Sequence, residues 1–257
     1  MSASLQATYF GANGWLLQFG PMRVLVDPWL VGSLRFPPGP WLLEGRLPRD
    51  WPIPADLDLL LLTQGLPDHC HEPTLDRLPR TCPVVGSAGA AARCRALGFE
   101  QVHALSPGEA LEQGPLRIDA TEGAAVPNRE NGYVLSHEAG RVYLEPHGFM
   151  PAAVAGGAVD LAITPVLDLG LPLAGAFIEG RQLLPRLLST LRPRVVMAST
   201  TGGNVAFSGL ISRLFWAKGS LSEAEALIAE QAPGCRFIDP EPGHAYSIAR
   251  EALPATA

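Results

Sequence analysis

The run Leu59-Leu60-Leu61-Leu62-Thr63-Gln64-Gly65-Leu66-Pro67-Asp68-His69-Cys70-His71 decides how the chain is read. Four consecutive leucines bounded by polar residues read as a short strand buried on both faces. Gly65 and Pro67 then break the backbone into a loop. Within four positions that loop carries Asp68, His69 and His71. A buried strand that delivers two imidazoles and a carboxylate to its own end can aim metal ligands or acid–base groups into a cleft. The plainer alternative is a helix cap at Asp68 with histidines on the surface, and on this stretch alone the two stand level.

Upstream, Ala7–Phe10, Trp15–Phe19 and Arg23–Val26 read as strands separated by the turn chemistry of Gly11-Ala12-Asn13-Gly14 and Gly20-Pro21. Asp27-Pro28-Trp29 closes the third strand. From there to Pro54, many prolines and the tryptophans Trp29, Trp41 and Trp51 predict a long ordered loop packed over the strand ends. Downstream, a helix is expected over Thr74–Leu78, a strand at Val84-Val85 and a helix over Ala88–Leu97 that stops at Gly98. Strands follow at Val102–Leu105, Ala110–Glu112, Leu116–Thr121, Tyr133–Ser136 and Val142–Leu144, with reversals at Gln113-Gly114 and Ala139-Gly140. The second half alternates strand Leu161–Thr164, helix Leu183–Leu191, strand Val195–Ala198, helix Leu221–Gln231 and strand Arg236–Ile238. Strand clusters in both halves with helices between them imply two sheets packed face to face under an outer layer of helices. Without a linker or low-complexity tract, residues 1–257 are expected to form one domain.

The bulk properties narrow the function. Of 257 residues, 47% are hydrophobic and 17% charged, which describes a globular chain able to bury a large core. A net charge of −6 argues against a nucleic-acid partner, which would need a basic stripe. Met1–Gln6 shows no basic region leading into an apolar core, so no signal peptide is visible. Cys70, Cys82, Cys94 and Cys235 show no paired spacing. Together these predict a cytoplasmic protein with reduced thiols. The most apolar region, Phe149 to Ile178, is interrupted by Asp160, Pro165, Asp168 and Pro172 and cannot supply a membrane-spanning helix.

Gly11-Ala12-Asn13-Gly14-Trp15-Leu16-Leu17 and then Arg23-Val24-Leu25-Val26-Asp27-Pro28-Trp29-Leu30 resemble the opening of metallo-β-lactamase-fold hydrolases. The similarity is greatest to the branch containing ascorbate-6-phosphate lactonase-like proteins. Thr63 to His69 falls where that family carries its His-x-His-x-Asp-His motif. Gly132-Tyr133 with Arg141-Val142-Tyr143-Leu144-Glu145-Pro146-His147-Gly148 resembles its strand pair ending in Gly-Asp. Pro193 to Thr200 resembles its late strand ending in a histidine. The resemblance spans roughly residues 6 to 205 in order. It implies an α/β fold, a four-layer αββα sandwich.

The same resemblance implies a reduced metal site. The motif's first two histidines are Gln64 and Leu66 here, its third would fall near Ala124 or Ala125, and its last is Thr200. Asp68 and His69 keep their places, and His147 stands where the family has a bridging aspartate. What remains is Asp68, His69 and His147, enough for one divalent metal: zinc, or iron or manganese. Glu145 is a candidate base or imidazole partner, and His71 a candidate replacement ligand or acid–base group. Pro242-Gly243-His244 and the glycine-rich Thr200–Asn204 turn are weaker candidates, while His103 and His137 carry no motif.

Two functions are therefore expected. One is hydrolysis of a small-molecule ester, lactone or phosphoester through one metal-bound water. The other is a catalytically silent binding or scaffold protein that keeps the pocket. The apolar stretch 167–178 is expected to form either a lip for a lipid-like substrate or peripheral membrane contact, or a buried interface.

Overall fold

The computed structural model describes residues 4–125, 129–152, 154, 157–200 and 202–249. Leu59–Leu62 is a strand, parallel to Met22–Val26 on one side and to Val84–Gly86 on the other. All four leucines are fully buried, and alternate side chains enter different cores. Leu59 and Leu61 pack between the two large sheets with Leu17, Ile118, Leu135 and Met197. Leu60 and Leu62 pack outward against Leu75, Ala90 and Cys94. This period-two division makes an unbroken apolar run the right sequence for a strand covered on both faces.

Leu59–Leu62 lies within a seven-stranded sheet. A second seven-stranded sheet faces it and contains Gly140–Leu144, Leu161–Thr164 and Val195–Ala198, which run parallel. The helices Gly180–Leu191 and Leu221–Gln231 cover its outer face through Leu184, Leu187, Leu191 and Ile228, which meet Tyr143, Ala162 and Val196. The layers are thus helix, sheet, sheet, helix, the four-layer α/β arrangement expected.

Predicted and observed elements differ mainly at short strands. Residues between Trp29 and Pro54 do not form one long loop; they include the paired strands Ser33–Arg35 and Glu44–Arg46, joined by Ala206–Ser208. The apolar stretch 167–178 is a hairpin, Asp168–Leu171 with Gly175–Glu179, extended by Trp216–Lys218. Ala245–Ile248 closes the edge of the first sheet. The first helix spans Glu72–Leu75, earlier than expected, with Pro73 in its first turn.

Candidate functional site

The parallel strands of both sheets end on one side of the sandwich, the place where open α/β sheets form crevices. Val26 leads into Asp27, Leu62 into Thr63 and Gln64, Leu144 into Glu145 and His147, and Ala198 into Ser199 and Thr200.

Asp27 organises the first of these loops. Its Oδ1 accepts from the Thr63 backbone N–H at 2.8 Å and its Oδ2 from the Thr63 hydroxyl at 2.5 Å. The Nδ1–H of His69 donates to Oδ2 at 2.8 Å. Asp27 adopts φ 40°, a left-handed conformation that aspartate tolerates better than most side chains. His69 has no exposed surface. Its Nε2 lies 3.3 Å from Asp68 Oδ2 and 3.1 Å from the Asn13 amide nitrogen, which also donates to Asp68 at 3.3 Å. Burial works to neutralise His69, but the carboxylates of Asp68 and Asp27 outweigh it and push the pKa up to about 10.

His147 lies with its ring centroid 5.4 Å from that of His69. The Gln64 amide donates to its Nδ1 at 2.9 Å. Burial first, then the charge of His69, drives its pKa down to about 3. Glu145 fixes the loop that carries it. Oε1 accepts from the Ala124 N–H at 3.2 Å, and Oε2 from the N–H groups of His147 at 3.1 Å and Phe149 at 2.7 Å. Burial lifts the Glu145 carboxyl to about 7 against these donors. Gly148, at φ 78°, is required in this loop because a Cβ there would sit 2.5 Å from the Gly180 nitrogen.

The structure thus sets Asp68 beside His69 and His147 near His69, but not as a ready ligand set. Among the described residues no three His, Cys, Asp or Glu side chains are grouped so as to hold a metal ion. The reason is local: Asp68 Oδ2 turns onto His69 Nε2, and the Gln64 amide lies against His147. His71 is not brought to them. The Thr74 hydroxyl accepts from the Leu30 N–H and meets His71 Nδ1 at 3.0 Å, and His71 Nε2 faces the Ser33 carbonyl at 3.3 Å. Both ring nitrogens therefore stitch the start of the Glu72–Leu75 helix to residues 30–33. Leu66 lines a separate surface groove with Glu72, Arg93 and Glu130.

By sequence Asn13 and Asp27 are only turn and strand-end residues. The signal for Asp27 was an acid placed where a buried strand ends; nothing in sequence separates Asn13 from an ordinary turn residue. Of the weaker candidates, Thr200 donates to the Pro146 carbonyl at 2.8 Å. Gly202–Asn204 line a pocket with Asp239 and Glu241, acidic company unsuited to a phosphate. His244 packs edge-on against Tyr246.

Three buried oxygens in the site, Asn13 Oδ1, Gln64 Oε1 and Asp68 Oδ1, have no hydrogen-bond partner. Unpaired buried acceptors are unfavourable by about 1–3 kcal/mol each, and here all are oxygens beside two imidazoles. That mixed oxygen and nitrogen donor set fits a divalent cation such as manganese, iron or zinc.

Residues 6–199 match the model of a beta-lactamase superfamily domain. A search of curated proteins gave no match. Among solved structures, the isothiocyanate hydrolase from Delia radicum gut bacteria superposes with TM-score 0.67 at 18% identity, over 95% of this chain and 100% of that one. Igni18, a metallo hydrolase from the archaeon Ignicoccus hospitalis, gives 0.64 at 15%, over 96% and 100%. CmlA, a diiron beta-hydroxylase from Streptomyces venezuelae, gives 0.64 at 18%, over 96% of this chain and 54% of that one. At these identities the likeness is one of fold. With the family match covering most of its length, the chain belongs to the beta-lactamase superfamily.

Proposed function

We propose that the protein is a metal-dependent hydrolase of a small ester, lactone or phosphoester. It is similar to the ascorbate-6-phosphate lactonase-like branch, with the usual motif reduced to Gln64-x-Leu66-x-Asp68-His69. The observation that carries this reading is the set of three partnerless buried oxygens beside His69 and His147. Asp68, His69 and His147 would hold one cation, zinc or iron or manganese, with Asn13 and Gln64 supplying amide oxygens. When bound, such a cation supplies the charge that makes water a usable nucleophile near neutral pH.

The chain's own residues do the positioning. Asp27 accepts the Nδ1 proton of His69 and so turns Nε2 toward the pocket. Glu145, with both oxygens committed to backbone N–H groups, shapes the His147 loop and acts as a positioning residue rather than as the base. Burial works against the charge of Asp68, but His69 beside it holds the carboxyl below its usual range, so it stays ionised as a ligand. We take the whole chain as one domain, in a reducing compartment suited to the buried free thiols of Cys70, Cys82 and Cys94.

The test is hydrolysis of a panel of esters, lactones and phosphodiesters by protein supplied with zinc, manganese or iron. Cleavage of one class, abolished by Asp68→Ala, is expected; no cleavage of any class would end the proposal. The closure of His69 favours a second reading, a catalytically silent pocket. In that case Asp68→Ala would change stability alone.

A further inference from the structure

The large hydrophobic side chains that are exposed among the described residues, Trp41, Leu173, Phe207, Leu210 and Leu214, come from three separated segments that meet. Residues 36–43, Phe-Pro-Pro-Gly-Pro-Trp-Leu-Leu, contain no charge and connect the strands Ser33–Arg35 and Glu44–Arg46. Leu171 to Gly175 form the tip of the 168–179 hairpin, also without charge. Residues 205–217 supply the third segment, whose sole charge is Arg213. Contacts join them: the Leu210 and Ile211 N–H groups donate to the carbonyls of Trp41 and Leu42. The Phe215 ring packs on Phe207 and on Phe177 at centroid distances of 6.3 and 5.9 Å. Trp216 pairs with Gly170, one residue before the tip of the hairpin.

Leu173 is the most telling residue. It stands fully exposed at the hairpin tip with φ 67°, a left-handed conformation that favours glycine or asparagine. A leucine there weakens the turn and offers its side chain only to something outside the fold. The charges lean the same way, although Lys218 stands in register with Asp168 at the end of the hairpin away from Leu173. In a chain of net charge −6, no acidic residue occurs between Glu179 and Glu223. The third segment carries Arg213 and is followed by Lys218, the one lysine of the chain, whose ammonium lies 5.2 Å over the Trp216 ring. An apolar face that carries exposed Arg213, with Lys218 at its border, on an acidic protein complements an anionic lipid surface. A second copy fits it less well, since a two-fold contact would set the same cation-bearing patch against itself.

We propose that this face, formed by residues 36–43, the Leu171–Gly175 tip and residues 205–218, docks the protein peripherally on a membrane containing anionic phospholipid. The neighbouring sheet packs on Ala12 and Trp29, beside Asn13 of the candidate site, so docking would set that site near the lipid surface.

The experiment is co-sedimentation of the full chain with vesicles of phosphatidylcholine, alone and mixed with phosphatidylglycerol, at low and high salt. Binding to the mixed vesicles that weakens with salt is expected. Leu173→Ser should lower partitioning about tenfold. Arg213→Gln and Lys218→Gln should each lower it about fivefold on anionic vesicles only. These side chains face solvent, so unchanged melting curves would separate lost docking from lost folding. Failure to bind anionic vesicles would overturn the proposal. So would sedimentation as a dimer that Leu173→Ser dissociates, because the face would then be an interface between copies. Neither readout depends on hydrolysis, so it stands or falls apart from the enzyme reading.

Discussion

His69 and His147 are the same residue type, 5.4 Å apart between ring centroids, and both are buried. Their protonation nevertheless runs in opposite directions, to about 10 and about 3. The His69 side of the pocket is ionic: Asp27 and Asp68 flank the ring on its two nitrogens. The His147 side is amide and backbone, with Gln64 against the ring and Glu145 spent on the loop beneath. Desolvation penalises the imidazolium in both places, and only two adjacent carboxylates reverse it. What makes one histidine a cation and the other a neutral base is therefore the charge of its neighbours, not depth.

The most damaging way to break this comparison is Asp27→Ala. It strands the Thr63 N–H, the Thr63 hydroxyl and His69 Nδ1, and the expected loss in denaturant unfolding is about 3–5 kcal/mol. Next comes Glu145→Gln, which leaves an amide NH2 facing one of the backbone donors. A loss of about 1–3 kcal/mol is expected, with loosening of residues 146–149 seen as faster amide exchange. Gln64→Leu removes one neutral hydrogen bond to His147 and should change stability by about 1 kcal/mol.

A pH series sharpens the same contrast in metal-free protein. The folded pKa of His69 is raised, so its contribution is fully present below the unfolded value of about 6.5. It is lost as pH climbs toward about 10. The folded pKa of His147 is lowered, so the unfolded chain takes up the extra proton as pH falls from about 6.5. That imposes a penalty which grows until about 3. His69→Gln should flatten the alkaline limb of the stability curve and His147→Gln the acid limb. If both variants alter the same limb, the assignment of opposite charges is wrong.

Much of the fold was legible because it rests on period. Leu59–Leu62, Val195–Ala198 and the helix Leu221–Gln231 follow from runs of apolar residues with clear stops, and the structure has them at those bounds. The strands at 33–35, 44–46, 206–208 and 216–218 were invisible, being three residues long and held by pairing with distant segments rather than by their own composition. The site divides likewise. Asp68, His69 and His147 stand out as residue types near strand ends, and the fold sets them close together. Asn13 and Asp27 enter only because the sandwich brings three strand ends together. His71, two residues past His69, looked equivalent, yet the start of the Glu72–Leu75 helix turns it onto Thr74 and Ser33.

The central claim is that the partnerless oxygens of Asn13, Gln64 and Asp68, with two imidazoles, form a cation site. Metal analysis of protein purified without added metal, read as moles per chain before and after exchange into zinc, manganese or iron, tests it directly. One equivalent of divalent metal is expected in the unmodified protein and none in a His69→Ala, His147→Ala double variant that still folds. No metal in the unmodified protein under any loading, or an equal content in the double variant, would contradict it.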